Sequence, residues 1–152
     1  MSIQALPQNT IRTLGATLTI TDPTSLVKEL IDNALDANAT SLFVEISANT
    51  LDVVQVRDGG HGVAPQDRDL IARRYCTSKI RSLDDLKGIG GTSLGFRGEA
   101  LAAAAELSGE MIVTTRVDGE QVADAVKIGR NGEVVGCSWL RRICSRTEAD
   151  NT

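Results

Sequence analysis

The stretch SLVKELIDNALDANAT, residues 25–40, has the apolar spacing of an amphipathic helix that ends in a stop signal. On a helical wheel its apolar side chains fill one continuous half. Asp22 and Pro23 precede it as an N-cap and a first helical residue. Asn38 is of a type that ends helices in the left-handed conformation. The sequence therefore predicts a helix over residues 23–37.

Downstream of this helix the chain alternates between strand and helix patterns. Asn49-Thr50, Asp118-Gly119 and Asn131-Gly132 have the composition of hairpin turns. Helices and antiparallel strands in one short chain predict a two-layer α+β fold. The predicted strands are residues 42–48, 51–57, 111–117, 121–128 and 133–136, and the further helices are residues 65–75 and 98–108.

Composition is that of one globular domain of 152 residues with a net charge of −4. The lack of a dense Lys/Arg run makes tight DNA binding by this segment alone unexpected. The chain shows neither an apolar signal core nor the roughly 20 apolar residues of a membrane span, which predicts an intracellular protein with no membrane partner. Cys76, Cys137 and Cys144 are widely spaced, so we expect reduced thiols and no zinc site.

Glu29 and Asn33 lie one turn apart at a border of the apolar stripe. A partly desolvated carboxylate suits a general base, and an amide oxygen suits a hard cation such as Mg²⁺. A solvated polar face is the alternative interpretation. Lys28 and Asp32 fall on the far side, spaced as a surface ion pair.

The stretch RDGGHG, residues 57–62, closes a predicted strand with an aspartate and three glycines. Asp58 is placed to accept a hydrogen bond from an exocyclic amine such as that of adenine, and glycines let the backbone approach a flat ligand. The alternative is a glycine-rich turn capped by Asp58. We interpret His61 as an exposed turn residue.

The stretch SLGFRGEAL, residues 93–101, places Gly95 and Gly98 before a predicted helix N-terminus, with Arg97 adding positive charge. Unpaired amides and the helix dipole make such a terminus an anion site, although a tight loop entering a helix would look the same. Thr77, Ser78 and Lys79 offer further phosphate contacts. Together with Glu29, Asn33 and Asp58, these segments would form one nucleotide site.

A family resemblance rests on these motifs. VKELIDNALDANAT, VRDGGHGV, TSKIRSLDDL and LGFRGEAL resemble, in order and spacing, the ATP-binding motifs of the MutL family of DNA mismatch-repair proteins. That family belongs to the superfamily that includes the DNA gyrase ATPase, the ninety-kilodalton heat-shock chaperones and histidine kinases. IQALPQNTIRTLGA is similar to the MutL N-terminal arm, so the resemblance covers residues 3–116. It implies a two-layer α/β sandwich whose mixed, mostly antiparallel sheet is covered by helices on one face. It also implies slow ATP hydrolysis that switches N-terminal dimerisation.

The resemblance implies a role for each matching residue, with ATP and Mg²⁺ as cofactors. Glu29 matches the general base, Asn33 the Mg²⁺ ligand, and Asp58 the partner of the adenine amine, with Gly60 and Gly62 shaping its pocket. The start of the ATP lid is matched by Thr77, Ser78 and Lys79, and its phosphate-binding end by Gly95, Phe96, Arg97, Gly98, Glu99, Ala100 and Leu101.

The same resemblance implies the domain organisation and its departures. Residues 1–139 would form the ATP-binding domain, with an arm at 1–20 and a lid at 76–97, and residues 140–152 a frayed tail. LGATLTI replaces the usual AAGEVV of the arm, which indicates a eukaryotic PMS-like branch and a nuclear location. KGIGGTS adds glycine to the lid. Two interpretations of VGCS stay open: it is a degenerate form of the family's later GTT segment, or the chain ends before that segment. The second domain of the family is missing, so we expect a fragment of a longer protein.

The implied partners are a MutL-family heterodimer partner, a MutS-type mismatch-recognition complex, and mismatched DNA through the full-length dimer. Two alternatives remain open from the sequence. One is a truncated, non-hydrolysing module that binds nucleotide or a partner. The other is a different ATPase of the superfamily, such as a histidine kinase or a gyrase-like enzyme.

Overall fold

The structure, a computed structural model, describes residues 4–49, 52–79, 94 and 98–138, with Cys137 and Ser138 described by their backbone alone. None of the helices in these ranges is long and apolar enough to cross a membrane. The predicted tail at 140–152 lies outside the described residues. The elements are α1 (Gln8–Thr19), α2 (Pro23–Asp36), β1 (Leu42–Ile46), β2 (Val54–Asp58), a 3-10 helix (Pro65–Leu70), α3 (Ala100–Leu107), β3 (Met111–Thr115), β4 (Asp124–Ile128) and β5 (Val134–Ser138).

Helix α2 has both of its predicted end signals. The Asp22 carboxylate accepts a hydrogen bond from the Ser25 amide at 2.7 Å, and the Ser25 hydroxyl lies 3.2 Å from the Asp22 amide, which forms a capping box. Asn38 has a φ of 57°, and its amide donates to the Leu35 carbonyl. Because both ends are fixed by local hydrogen bonds, the predicted helix is confirmed, and the register of its polar edge is fixed with it.

The strands form two antiparallel sheets within the described residues, β1–β2 and β3–β4–β5. In the first, Leu42 pairs with Asp58 and Ile46 with Val54, so that Asp58 stands at the end of the ladder. In the second, β4 is central, and its register against β5 shifts at Lys127–Ile128. Helices and antiparallel strands in one chain confirm the predicted α+β class.

Helix α3 lies at the centre of the apolar core. Ala103 and Ala104 pack with Ala16 and Ile20 at the end of the arm helix α1, and Ala105 packs with residues of β4 on the other side. Alanine side chains allow close approach on both faces. The structure therefore confirms a helix within the predicted range 98–108. Its alanines are buried because their small side chains let neighbouring elements pack closely on both faces. The partners of Ala105 are Ala72, Val126 and Ile128.

Within the predicted arm, Gln8–Thr19 form helix α1, which the sequence patterns did not predict. The Thr13 hydroxyl donates to Glu106 Oε1 of α3 at 2.9 Å. Arg12 forms an ion pair with the same carboxylate at 3.5 Å, without the geometry of a hydrogen bond. Arg74 donates to the Arg12 carbonyl at 3.1 Å. Polar contacts thus supplement the small alanine interface between α1 and α3.

The helix predicted at 65–75 is wrong. Only Pro65–Leu70 is helical, as a 3-10 helix, and turns follow to Tyr75, which is exposed and has a φ of 62°. The reason is tertiary. Arg68 is buried, and its guanidinium donates to the Val63 carbonyl at 3.2 Å, to Glu120 at 2.6 Å and to Asp124. These bonds tie the segment to the β3–β4 connection and override its helical propensity.

Replacing Arg68 should destabilise the fold. In Arg68→Met the apolar stem is kept, but Glu120, Asp124 and the Val63 carbonyl lose a shared donor, so we expect the free energy of unfolding to fall by about 2 kcal/mol. Urea denaturation measures it. The control is Lys127→Met, since the Lys127–Glu110 pair is more than half exposed on both sides and should change stability by less than about 0.5 kcal/mol. Equal stability of the two variants would contradict this role of Arg68.

The same network predicts a pH dependence. The hydrogen bond from Arg68, followed by the bond from the Val117 amide, lowers the pKa of Glu120 from its ordinary value of 4.5. A carboxyl whose pKa is lower in the folded chain stabilises the fold above the unfolded pKa and loses this contribution as the pH falls through the folded pKa. The stability difference between wild type and Glu120→Gln should therefore be largest above pH 4.5 and shrink below it, measured by urea denaturation at a series of pH values. A constant difference would contradict it.

Candidate functional site

The polar edge of α2 carries Glu29, Asn33 and Asp36, all half-buried. One helical turn separates Glu29 from Asn33, so their Cβ atoms lie roughly 6 Å apart. Within the described residues, the Glu29 carboxylate has no hydrogen bond or ion pair. Lys28 and Asp32 instead form the predicted i,i+4 pair at 2.5 Å, in which Lys28 is exposed. The edge therefore presents an unengaged carboxylate beside an amide.

Lys79 contacts this edge directly. Its ammonium donates to Asn33 Oδ1 at 3.2 Å and forms an ion pair with Asp36 Oδ2. The Asp36 side chain is only 9% exposed. Its other oxygen, Oδ1, accepts a hydrogen bond from the Leu94 amide at 2.9 Å. Residues 79 and 94, which both belong to the segment predicted as a lid at 76–97, therefore both bind the last turn of α2.

Asp58 lies close to the same end of α2. Its Oδ1 accepts a hydrogen bond from the Gly60 amide at 2.9 Å. The next amide, of His61, donates to the Ala37 carbonyl at 3.0 Å. A Cβ on Gly60 would lie 2.7 Å from the Cβ of Ala37. The absence of a side chain at Gly60 thus allows the turn after β2 to pack directly on the C-terminus of α2, with Asp58 exposed beside it.

The other side of this turn packs on β3. The Val63 amide donates to the Thr115 hydroxyl at 2.8 Å, and Thr115 is buried. Gly62 has a φ of +71°, and a Cβ there would lie 2.2 Å from the Arg116 carbonyl oxygen. Both the backbone conformation and the space at Gly62 therefore require glycine. The sequence analysis missed Thr115, because nothing in MIVTT distinguishes it from its exposed neighbour Thr114.

The start of α3 lies beside the start of the predicted lid. Gly98 has a φ of +61°, and a Cβ there would lie 2.3 Å from the Cys76 carbonyl oxygen. The Tyr75 amide donates to the Gly98 carbonyl at 3.1 Å. Glu99, in the N-cap position, makes no side-chain capping bond. The first amides of α3, including those of Ala100 and Leu101, thus lack intrahelical acceptors.

The structure brings four of the predicted site residues, Asn33, Asp58, Gly60 and Lys79, to the C-terminal end of α2. Asn33 and Lys79 are in direct contact, and the turn after Asp58 is hydrogen-bonded to the Ala37 carbonyl. Gly98 packs against Cys76, which directly precedes Thr77. The Thr77 hydroxyl accepts from the Lys79 amide at 3.2 Å, and Ser78 is exposed. Gly95, Phe96 and Arg97 lie outside the described residues.

The donor set at this edge fits a Mg²⁺–nucleotide. Mg²⁺ prefers oxygen ligands, usually takes few of them from protein, and keeps waters and substrate phosphates as the others. Asn33 Oδ1 is an oxygen of this kind. Within the described residues no three His, Cys, Asp or Glu side chains cluster as a metal site of their own. A cation here would therefore depend on oxygens from a bound ligand.

Comparisons with known proteins agree with these motifs. Residues 21–135 match the family described as "Histidine kinase-, DNA gyrase B-, and HSP90-like ATPase". The DNA mismatch repair protein MutL of Xanthomonas oryzae pv. oryzae (strain PXO99A) is 42% identical over 137 residues, which are 89% of this chain and 21% of that protein. The MutL protein of Xylella fastidiosa (strain M23) is 40% identical over 136 residues, 89% of this chain and 22% of that protein.

A solved structure is also similar. The crystal structure of the N-terminal domain of a DNA repair protein matches with a TM-score of 0.67 at 27% sequence identity, over 84% of this chain and 34% of that one. The chain spans about a fifth of the length of the two MutL relatives. Motifs, fold and similarity agree, and the chain belongs to the histidine kinase-, DNA gyrase B- and HSP90-like ATPase family, as an ATPase domain of the MutL type.

Proposed function

We propose that this chain binds Mg²⁺–ATP along the polar edge of α2 and hydrolyses it, as the ATPase part of a MutL-type mismatch-repair protein. The observation that carries the proposal is the convergence on one end of α2. Asn33 and Asp36 hold Lys79, Asp36 also binds the Leu94 amide, and Ala37 binds the turn that follows Asp58. Groups suited to a base, a metal and an adenine ring thereby border one region.

Glu29 is the proposed general base. Its half-buried carboxylate is unengaged within the described residues and can accept a proton from a water molecule. The water oxygen then bonds to the γ-phosphorus, the bond from that phosphorus to the β–γ bridging oxygen breaks, and ADP and phosphate leave. Asn33 Oδ1 would hold Mg²⁺, which when bound neutralises phosphate charge.

Asp58 is the proposed acceptor for the exocyclic amine of adenine. Its Oδ1 already accepts the Gly60 amide, and this bond orients the carboxylate at the end of β2. The free amides at the start of α3, from Glu99 to Leu101, are suited to phosphate oxygens. The phosphate contacts of Thr77, Ser78, Gly95, Phe96 and Arg97 stay predictions from the resemblance.

The role in the whole protein is a proposal of its own. ATP binding would act as a conformational switch for dimerisation with a MutL-family partner, and for signalling with a MutS-type complex on mismatched DNA. The similarity to MutL over 89% of the chain supports it. The PMS-like branch and the nuclear location stay predictions from the sequence, and the relatives named above are bacterial.

Replacing Glu29 should separate binding from hydrolysis. Glu29→Gln keeps the shape and removes the base, so we expect ATP turnover to fall at least about 100-fold while the Kd for Mg²⁺–ATP stays within about threefold. Phosphate release measures turnover, and calorimetry measures binding.

The matched control is Asp32→Asn, which removes a carboxylate of the same helix that is already paired with Lys28 and should leave both quantities unchanged. Turnover by Glu29→Gln equal to that of wild type would refute the assignment of the base. Binding without turnover in the wild type would favour a non-hydrolysing module, and no nucleotide binding at all would refute the site.

Thr115 should position Asp58 without touching the nucleotide. In Thr115→Val the buried Val63 amide loses its acceptor, which costs about 1–3 kcal/mol and loosens the turn. We expect weaker binding of ATP, by about tenfold, and restored binding in Thr115→Ser. Thr114→Val, on the exposed face of the same strand, is the control. Equal affinities of the two valine variants would contradict this positioning role.

A further inference from the structure

The contact between Lys79 and Asn33 places two cations in competition for one oxygen. The Lys79 ammonium lies 3.2 Å from Asn33 Oδ1, the atom that the proposed function gives to Mg²⁺. Protein oxygens bind Mg²⁺ at about 2.1 Å. An ammonium at its present position would then repel the metal at close range. The ammonium must therefore leave Asn33 before Mg²⁺ can bind there.

Asp36 determines how strongly Lys79 is retained. Its Oδ2 pairs with the ammonium, and the side chains of Asp36 and Lys79 are 9% and 22% exposed. A pair this sheltered from water is screened less than a surface pair. Oδ1 of the same carboxylate accepts the Leu94 amide, which fixes its orientation. In the Lys28–Asp32 pair of the same helix, by contrast, the lysine is 70% exposed, while Asp32 is 14% exposed.

We propose that Lys79 is a built-in competitor of Mg²⁺, held at Asn33 by Asp36 in the nucleotide-free chain and released when Mg²⁺–ATP binds. This inference rests on the proposed function, because it assumes that Asn33 binds the metal. Once released, the ammonium is free to contact phosphate oxygens, so one side chain exchanges an internal carboxylate for the ligand. Asp36 is then a positioning residue that sets the affinity for Mg²⁺–ATP by stabilising the nucleotide-free arrangement.

The test is the affinity for a non-hydrolysable ATP analogue, adenylyl imidodiphosphate, measured by calorimetry with Mg²⁺ and with EDTA. Asp36→Asn keeps an oxygen for the Leu94 amide but removes the charge that retains Lys79. We expect this variant to bind the Mg²⁺ complex about fivefold more tightly than wild type. A merely structural role of Asp36 would weaken binding instead.

A second variant keeps the proposal testable if Asp36→Asn does not fold. Lys79→Met removes the competitor, so the ratio of affinity with Mg²⁺ to affinity in EDTA should rise even if both affinities fall. If Lys79 is only a phosphate ligand, both affinities fall by one factor and the ratio is unchanged. In the double variant the gain from Asp36→Asn should disappear, because nothing is left to release.

Asp32→Asn is the matched control, since it removes a similarly sheltered carboxylate of the same helix that is paired with Lys28 and not with Lys79, and it should bind like wild type. If Asp36→Asn binds the Mg²⁺ complex no more tightly than wild type, the proposed competition is wrong. It is also wrong if the gain in affinity from Asp36→Asn persists in the double variant that lacks Lys79. Failure of the wild type to bind the analogue would instead overturn the proposed function itself.

Discussion

The hydrogen bond from the His61 amide to the Ala37 carbonyl, 3.0 Å long, joins the two halves of the candidate site. It connects the end of α2 to the turn after β2, and it requires the close approach that Gly60 allows. Asn38 makes this possible, because its left-handed conformation ends the helix and leaves the Ala37 carbonyl available. The positions of Glu29 and Asn33 relative to Asp58 therefore follow from how one helix ends.

The same turn is held from its other side by β3. The Thr115 hydroxyl accepts the Val63 amide, and the Val63 carbonyl accepts Arg68. Arg68 in turn binds acidic groups of the β3–β4 connection. The backbone of Val63 thus has both of its polar groups satisfied by buried side chains. This arrangement couples the orientation of the Asp58 turn to the packing of the three-stranded sheet.

Local signals in the sequence were enough to predict α2, to predict antiparallel strands in the regions of both sheets, and to group the motifs into one candidate site. The capping box of α2 and the left-handed Asn38 involve neighbours in the chain, so a pattern reveals them. The helix predicted at 65–75 failed because the partners of Arg68, Glu120 and Asp124, are distant in sequence. The roles of Thr115 and Asp36 also depend on partners that are distant in sequence. Asp36 contacts residues 79 and 94, which lie 43 and 58 positions further along the chain. Local residue spacing therefore could not predict these contacts.

The alanine interface between α1 and α3 has a mechanical consequence. Ala16 and Ala103 are fully buried, and alanine has no rotamers with which to absorb a displacement. The backbones of the two helices therefore touch almost directly, and a shift of α3 along its axis has to move α1 with it. Since Gly98 places the start of α3 against Cys76, a movement at the end of α3 that is proposed to bind phosphate would reach α1 as a rigid displacement.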